Sequence, residues 1–253
     1  MIRLATLLFF LLVCNVHAHE SKCILSVRVE STNDNIFFKN YNDNKLILQS
    51  YALLDALVAK TSCTLEPIAL PNGRAINMLE NGDLTIMVGF SKTKERERFS
   101  YFLGPHHIEK IVVVGNKSLK NKVTNLNDIL ARDGLISVTN GAYYGAQWKN
   151  AFQQYPSLEY RIIELSENQQ KFSMLTMERV DVTLEDENVV DELLEQDIFK
   201  DRYVKLFTLH ENFVYFALSK KLVSESLYQE MTQAWQKMLA SGEVNSIKQQ
   251  YAD

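Results

Sequence analysis

Glycine and proline are scarce in this chain, at nine and four of 253 residues. No internal repeat, low-complexity tract or long linker interrupts the sequence. With 46% of the residues apolar and 23% charged, the chain has enough hydrophobic side chains for a well-packed core. This composition argues against a disordered or fibrous protein and indicates a globular one.

A basic excess is also absent, because 27 lysines and arginines are outnumbered by 31 aspartates and glutamates. The formal net charge is −4 at neutral pH. Proteins that bind nucleic acids usually carry a positively charged face that neutralises phosphates. The sequence has no basic face of that kind, so we expect no nucleic-acid partner.

The chain begins with a hydrophobic run, residues 4–13, directly after Arg3. Val16 and Ala18 then occupy the positions that a signal peptidase reads. The run is about half of the ~20 residues that a membrane-spanning helix needs, so it predicts an export signal and not an anchor. We therefore expect a signal peptide at residues 1–18, cleavage after Ala18, a periplasmic location and no integral membrane segment in the mature chain.

Cysteine is rare, and cleavage of the signal peptide would remove one of the three residues, Cys14. A lipid anchor on Cys14 is an alternative, but Val13 stands where such signals prefer a small residue. The remaining Cys23 and Cys63 each lie at the start of a predicted strand, and the two strands are neighbours in a parallel sheet. We predict a disulfide between them in the oxidising periplasm. The alternative is two small buried hydrophobic side chains.

Recognisable catalytic motifs are missing as well. The sequence contains no HExxH, GxSxG, Walker or dinucleotide-binding glycine pattern. His106 and His107 are the one local candidate for a metal site, but adjacent residues of a strand point to opposite faces. We therefore expect no enzyme activity, no metal and no cofactor.

Hydrophobic patterning alternates between short strands and amphipathic helices, which is typical of an α/β protein. About 235 residues would remain after processing, enough for one large domain or two lobes of ~100 residues. The predicted strands are residues 24–29, 64–69, 84–88, 111–115, 135–139, 160–163, 181–184, 203–208 and 213–218. The predicted helices are residues 46–60, 73–80, 125–131, 142–155, 166–178, 187–195 and 224–240, with a last helix to the end of the chain.

The stretch at residues 82–102 carries the first candidate site. A short buried strand, bounded by glycines, is followed by Ser91 and by Thr93, which can cap a charged helical turn. Backbone N–H groups at the start of such a turn favour an anion. Arg96 can grip a carboxylate through two parallel hydrogen bonds. The alternative is that this charged run is an ordinary solvated helix face.

These residues resemble the family 3 periplasmic solute-binding proteins, the polar amino-acid receptors of ABC importers. The family pattern is roughly G-x-x-D-x-x-x-x-x-x-[ST]-x-T-x-x-R followed by an aromatic-rich strand. Ser91, Thr93 and Arg96 stand in register with its [ST]-x-T-x-x-R part, and Gly82 lies one residue after the position of its glycine. The resemblance implies a two-lobed fold of the type II periplasmic binding protein class, each lobe a mostly parallel sheet flanked by helices.

In that fold the chain crosses twice between the lobes, here near residues 107–111 and 211–215. The expected division is lobe I at residues 19–107 and 215–253, and lobe II at residues 108–214. Ligands of such sheets bind at the carboxyl ends of the strands. In lobe I, residues 31–38, 72–74 and 89–96 are expected to converge there, with Gly89 permitting backbone contact to the ligand.

Lobe II supplies two further candidate segments. After a predicted strand, Gly141 allows close backbone approach and Tyr143 is placed to stack on or close over a ligand; Ala142 and Tyr143 replace the hydroxyl residues of the family loop. Asp186 falls where amino-acid receptors place the carboxylate that pairs with the α-ammonium group. The alternatives are that the tyrosines of this loop are surface residues and that Asp186 only caps the helix beginning at Glu187.

The resemblance therefore implies a monomeric receptor that closes on a small polar, amino-acid-like solute and hands it to an ABC permease. One alternative is a sensory module for a chemoreceptor or a sensor kinase in the membrane. Another is a periplasmic lyase similar to cyclohexadienyl dehydratase, which would need a buried acid with a raised pKa. Glu30 and Glu185 are the candidates for that acid.

Overall fold

The computed structural model describes residues 22–30 and 44–251. The predictions for the signal peptide, the cleavage after Ala18, Cys14 and the loop at residues 31–38 lie outside the described residues. Within the described part, no helix is both long and apolar enough to cross a membrane.

Eight strands form one mixed sheet with the order β2-β1-β3-β8-β4-β7-β5-β6. The outer pairs are parallel, whereas β8 and β4 run antiparallel to each other and to β3 and β7 respectively. The strands are β1 Cys23–Val29, β2 Cys63–Ala69, β3 Ile86–Ser91, β4 Ser100–Asn116, β5 Ile136–Thr139, β6 Ile162–Leu165, β7 Val182–Asp186 and β8 Tyr203–Ser219.

Nine α-helices flank the sheet in the described part of the chain, and short 3₁₀ turns complete the connections. The helices are α1 Lys45–Val58, α2 Asn72–Asn81, α3 Leu126–Leu130, α4 Gly145–Gln154, α5 Asn168–Thr176, α6 Glu187–Leu194, α7 Asp197–Lys200, α8 Glu225–Ala240 and α9 Glu243–Gln249. Of these, α7 has no counterpart among the elements predicted from the sequence. The α/β fold class predicted from the sequence is confirmed.

Two strands of 17 residues, β4 and β8, carry the chain between the lobes. The sequence predicted two separate strands in place of β8, because polar residues interrupt its apolar pattern near His210 and Asn212. Pairing with β4 holds the strand together across this interruption, with register shifts in the ladder. Backbone hydrogen bonds do not depend on side-chain polarity, so long-range pairing overrides the local pattern.

Buried side chains collect on two sides of these crossing strands. In lobe I, β1, α1 and α8 pack around Phe216 and Trp235, and α2 covers the opposite face of the sheet. In lobe II, one cluster surrounds Val113 and Trp148 and another surrounds Phe172 and Val190. Each lobe therefore has a hydrophobic core of its own, which leaves the polar ends of the strands free to line the space between them.

The predicted disulfide joins Cys23 and Cys63. Both residues are the first of their strands and pair directly in the parallel register of β1 and β2, with their Cα atoms 4.4 Å apart. The bond ties the edge strand β2 to the sheet across 40 residues of sequence.

Replacing both Cys23 and Cys63 by serine should lower the free energy of unfolding by about 3 kcal/mol, because the bond restricts the unfolded chain. Chemical denaturation of the oxidised protein and the double variant measures the difference. Ligand affinity should change little, since neither residue lines the cavity described below. Equal stability of the two proteins would contradict the expectation.

Helix starts follow the predicted capping chemistry at several positions. Ser224 caps α8 through its side chain, and Thr93 accepts a hydrogen bond from the backbone N–H of Arg96 at 3.2 Å. The helix predicted to begin at Ser166 begins two residues later, at Asn168. The N-cap of α5 is Glu167, and Gln170 completes a reciprocal capping box with it.

The strand β3 also differs from its prediction at Gly89. The sequence indicated that the strand ends there, but it continues to Ser91 with a register shift between Met87 and Phe90. Gly89 has a φ of 71°, a left-handed conformation that glycine adopts without strain. The residue therefore forms a bulge inside the strand and not the turn after it.

Candidate ligand-binding site

A cavity of about 190 Å³ lies between the lobes, at the polar ends of the strands. Five of the six predicted ligand-binding residues line it: Gly89, Ser91, Arg96, Tyr143 and Asp186. The sixth, Gly141, is outside the lining and contacts Arg96 instead. Other polar residues of the lining are Arg28, Glu30, Asn44, Ser50, Tyr51, Asn72, His107, Glu109, Thr139, Ser166, Asn168 and Glu185.

Arg96 spans the gap between the lobes. Its two terminal nitrogens donate to the backbone carbonyls of Ser91 and Gly141, each at 2.9 Å. The guanidinium carbon lies 3.8 Å from the centre of the Phe90 ring, a cation–π contact that fixes the side chain. Burial lowers the pKa of Arg96 to about 10, so the group remains a cation at neutral pH.

Asp186 ends β7 and also caps α6. One carboxylate oxygen accepts hydrogen bonds from the backbone and the side-chain amide of Asn188, both at 2.8 Å. The capping interpretation is therefore correct, and it does not exclude a ligand, because the same side chain lines the cavity. Burial and the neighbouring acidic residues Glu185 and Glu187 raise the pKa of Asp186 to about 6.

Glu109 is a lining residue that the sequence interpretation missed. It lies on the crossing strand β4, and the hydroxyl of Ser91 donates to its carboxylate at 3.3 Å. Burial and repulsion from Asp186 raise the pKa of Glu109 to about 8, more than the Ser91 hydrogen bond lowers it. Its position in the predicted crossing at residues 107–111 was the sequence signal that could have drawn attention to this residue.

The two other acids of the cavity, Glu30 and Glu185, have cationic partners. Glu30 lies 3.6 Å from Arg28. Glu185 pairs at 2.8 Å with Lys171, whose side chain is only 1% exposed and which also donates to the carbonyl of Leu184. Burial alone would lower the pKa of Lys171, but the adjacent carboxylate raises it above its ordinary value.

The loop after β5 presents two tyrosines in different roles. Tyr144 is buried, and its hydroxyl accepts a hydrogen bond from the backbone N–H of Thr139 at 2.7 Å. Tyr143 lines the cavity with its ring edge-on to His210, at a centroid distance of 5.3 Å. Gly141 has a φ of 74°, and an added Cβ would approach Ile76 to 2.8 Å. The close approach of the two lobes at this loop therefore requires glycine.

The two histidines of β4 do not point to opposite faces as the sequence argument assumed. A register shift between Leu103 and His107 brings the Nδ1 atoms of His106 and His107 to 2.8 Å. Burial lowers the pKa of both rings, to about 4 for His107. Within residues 22–30 and 44–251, no three histidine, cysteine, aspartate or glutamate side chains are placed to hold a metal ion.

Additional contacts join the lobes at the rim of the cavity. The side-chain amide of Asn72 donates to the carbonyl of Asn140 at 2.8 Å, and Asn44 donates to Glu192 at 2.8 Å. Asn72 belongs to the predicted lobe I segment 72–74 and lines the cavity. The arrangement offers a cavity between the lobes that is lined by two arginines and four carboxylates, which suits a small charged solute.

The sequence and the fold are similar to those of known proteins. The model of the bacterial extracellular solute-binding proteins, family 3, matches residues 27–253. No curated protein matches the sequence at a significant level.

Three solved structures share the fold at low sequence identity. An ancestral arginine-binding protein bound to arginine has a TM-score of 0.72 and 18% identity, covering 91% of this chain and 98% of its own. The amino-acid ABC transporter substrate-binding protein AbpA from Streptococcus pneumoniae, bound to L-arginine, has a TM-score of 0.68 and 16% identity, covering 91% and 94%. A histidine kinase sensor domain with similarity to periplasmic binding proteins has a TM-score of 0.69 and 11% identity, covering 91% and 95%.

The family match extends over both lobes and over the cavity between them. The chain belongs to the bacterial extracellular solute-binding proteins of family 3.

Proposed function

We propose that this protein is a monomeric periplasmic receptor that binds one small, amino-acid-like solute between its lobes and delivers it to an ABC permease. The observation that carries the proposal is the cavity, which has Arg96 on its lobe I side and Asp186 on its lobe II side. A zwitterion that contacts both groups replaces the water around each charge and joins the lobes.

The mechanism is ligand-driven closure. A solute favours the closed form only to the extent that it binds that form more tightly, and contacts to both lobes provide this difference. We place the lobe boundaries at residues 107/108 and 214/215, within β4 and β8, so that the two long strands act as the hinge. Gly89 and Tyr143 complete the wall around the ligand.

A thermal-shift screen against polar amino acids, small peptides, carboxylates and amines tests this proposal. A solute at 100 times its Kd stabilises the folded state by about 2.7 kcal/mol, which corresponds to a rise in Tm of roughly 5–10 °C for a protein of this size. At least one amino-acid-like compound should produce such a rise. If no compound in the panel changed Tm, the receptor proposal would be contradicted.

Delivery to a membrane sensor is a second candidate, favoured by the likeness to the sensor domain of a histidine kinase. The ligand site would be the same, and only the partner that recognises the closed form would differ. Genes for a permease and an ATPase beside this gene would support import, whereas a neighbouring sensor gene would support signalling.

We also propose that the protein binds its solute without converting it. Both acids that the sequence suggested for a lyase have cationic partners, since Glu185 is held by Lys171 and Glu30 lies beside Arg28. We assign the third acid, Glu109, whose pKa burial raises, to binding of the solute. Incubation with prephenate or arogenate should therefore give no product, as measured by absorbance and chromatography. Product formation that depends on Glu30 or Glu109 would overturn this part of the proposal.

A further inference from the structure

The charges in the cavity are not balanced among the described residues. Two of the four lining carboxylates have a cationic partner within 4.0 Å, Glu30 with Arg28 and Glu185 with Lys171. The other two, Glu109 and Asp186, form no ion pair within residues 22–30 and 44–251.

Arg96 does not balance these two carboxylates. Both of its terminal nitrogens donate to backbone carbonyls, and its flat face lies against Phe90. The group is oriented toward the junction of the lobes, where it holds the loop at Gly141. Its charge lowers the pKa of Glu109 less than burial, Asp186 and Glu185 together raise it.

Glu109 and Asp186 lie close together on neighbouring strands. In the antiparallel ladder of β4 and β7, Ile111 is opposite Asp186, and Glu109 is two residues before Ile111. Because side chains two apart in a strand tend to share a face, both carboxylates reach the same end of the cavity. Each carboxylate has one polar partner, Ser91 or Asn188 respectively, and keeps capacity to accept further hydrogen bonds.

Burying two adjacent carboxylates is unfavourable unless a cation or a proton compensates them. A ligand with a single ammonium group can compensate one of them. A ligand with two cationic groups can compensate both, and it gains a second charge-assisted hydrogen bond. A cavity of about 190 Å³ restricts such a ligand to a small molecule.

We propose that Glu109 and Asp186 form a double cation site, and that the solute is a small molecule with two cationic groups. This inference rests on the proposed receptor function and specifies its substrate class. Asp186 binds one ammonium group, and Glu109 binds the second ammonium or guanidinium group. Basic amino acids and short diamines both carry two cationic groups. Only the amino acids also carry a carboxylate that Arg96 can bind.

Ligand binding should release a proton from Glu109. Its pKa of about 8 leaves most of the group protonated at pH 7 in the free protein. An adjacent ligand cation favours the ionised form, so the proton leaves when the complex forms. Affinity should therefore rise with pH, by up to about tenfold per unit between pH 7 and 8, and become constant above Glu109's pKa.

The other charged groups around Glu109 contribute little in this pH range. Asp186 and Glu185 approach from β7, with Lys171 behind Glu185 on α5, and Arg96 approaches from lobe I. The pKa of Asp186 is about 6, that of Arg96 is about 10 and that of His107 is about 4. None of these three values lies between pH 7 and 8. The β8 partner, Asn212, is neutral.

Isothermal titration calorimetry tests the proposal with lysine, ornithine, arginine, putrescine, glutamine and glutamate. Each titration is run at pH 7 in two buffers of different ionisation enthalpy, which gives the number of protons released. The proteins are the wild type, Glu109→Gln and a control variant, Glu211→Gln. Glu211 is an exposed residue of the other crossing strand and does not line the cavity.

The wild type and Glu211→Gln should bind at least one ligand with two cationic groups at least tenfold more tightly than glutamine, with release of close to one proton. In Glu109→Gln the release should disappear, and affinity for that ligand should fall by about tenfold to a hundredfold. If putrescine binds and the amino acids do not, the solute is a short diamine. If lysine, ornithine or arginine binds and putrescine does not, the solute is a basic amino acid.

Tighter binding of glutamine or glutamate would overturn the double cation site and leave the receptor function standing. Unchanged proton release in Glu109→Gln would also overturn it. If no panel member bound to the wild type, the receptor function itself would be contradicted. If Glu109→Gln does not fold, the affinity of the wild type is measured as a function of pH instead. An affinity that stays constant between pH 6 and 8 would contradict the proposal.

Discussion

Replacing Arg96 by alanine is expected to lower the affinity for the solute by at least about a hundredfold, and to abolish the ligand-induced rise in Tm. The guanidinium has five N–H donors and gives two of them to the carbonyls of Ser91 and Gly141, so donors remain for a solute carboxylate. Two charge-assisted hydrogen bonds to that carboxylate contribute roughly 3 kcal/mol or more together, which corresponds to this factor. The variant also loses the hydrogen bond to Gly141, which connects the two lobes. Calorimetric titration with the best ligand from the screen measures the loss.

Arg98→Ala is the matched control for this variant. Arg98 belongs to the same 3₁₀ turn as Arg96 and carries the same charge, but its side chain is exposed and does not line the cavity. It should bind the solute like the wild type. The unliganded Arg96→Ala protein should keep its fold, because the turn lies outside the hydrophobic cores. Wild-type affinity in Arg96→Ala would remove this residue from the site.

Replacing Lys171 by alanine is expected to lower the free energy of unfolding by about 4 kcal/mol. The change would leave Glu185 buried, 8% exposed, without its cation. Removing one member of a buried ion pair typically costs 3–5 kcal/mol, because the remaining charge cannot regain its hydration. Urea denaturation at neutral pH measures the difference.

The double variant Lys171→Met, Glu185→Leu distinguishes the effect of an unpaired buried charge on stability from the effect of lost side-chain volume. Apolar residues of similar size in place of a buried pair are usually neutral or stabilising. The double variant should therefore recover most of the stability that Lys171→Ala loses. A double variant as unstable as Lys171→Ala would show that packing, and not the unpaired charge, causes the loss.

Local features of this fold could be predicted from the sequence. The caps at Ser224 and Asp186 and the turn at Thr93 depend on contacts within a few residues, so short sequence patterns identify them. The disulfide between Cys23 and Cys63 followed from the order of two strands in a parallel sheet. The caps required no knowledge of the rest of the chain, whereas the disulfide required the order of the strands in the sheet.

Features that depend on the exact register of pairing between distant strands could not be predicted. Gly89 appeared to end a strand, but pairing with β8 continues the strand to Ser91. His106 and His107 appeared to face opposite sides, but a register shift brings their rings together. These positions are set by the partner strand, and its register is not contained in the local pattern.

The residues of the candidate site also divide into those that the sequence identifies and one that only the structure shows. Ser91, Arg96 and Asp186 lie at the ends of strands, where the order of elements places them at one cavity. Glu109 lies within β4, and only the structure places it beside Asp186. The pairing of Glu109 with Asp186 in the cavity therefore could not be derived from the segments that the sequence singled out.

A crystal structure of the protein with its best-binding solute tests the central claim most directly. The account predicts one solute molecule between the lobes, with an ammonium group within roughly 3 Å of the Asp186 carboxylate and a carboxylate in contact with Arg96 of lobe I. A solute bound outside this cavity, or bound there without contacting Asp186 and Arg96, would contradict the account.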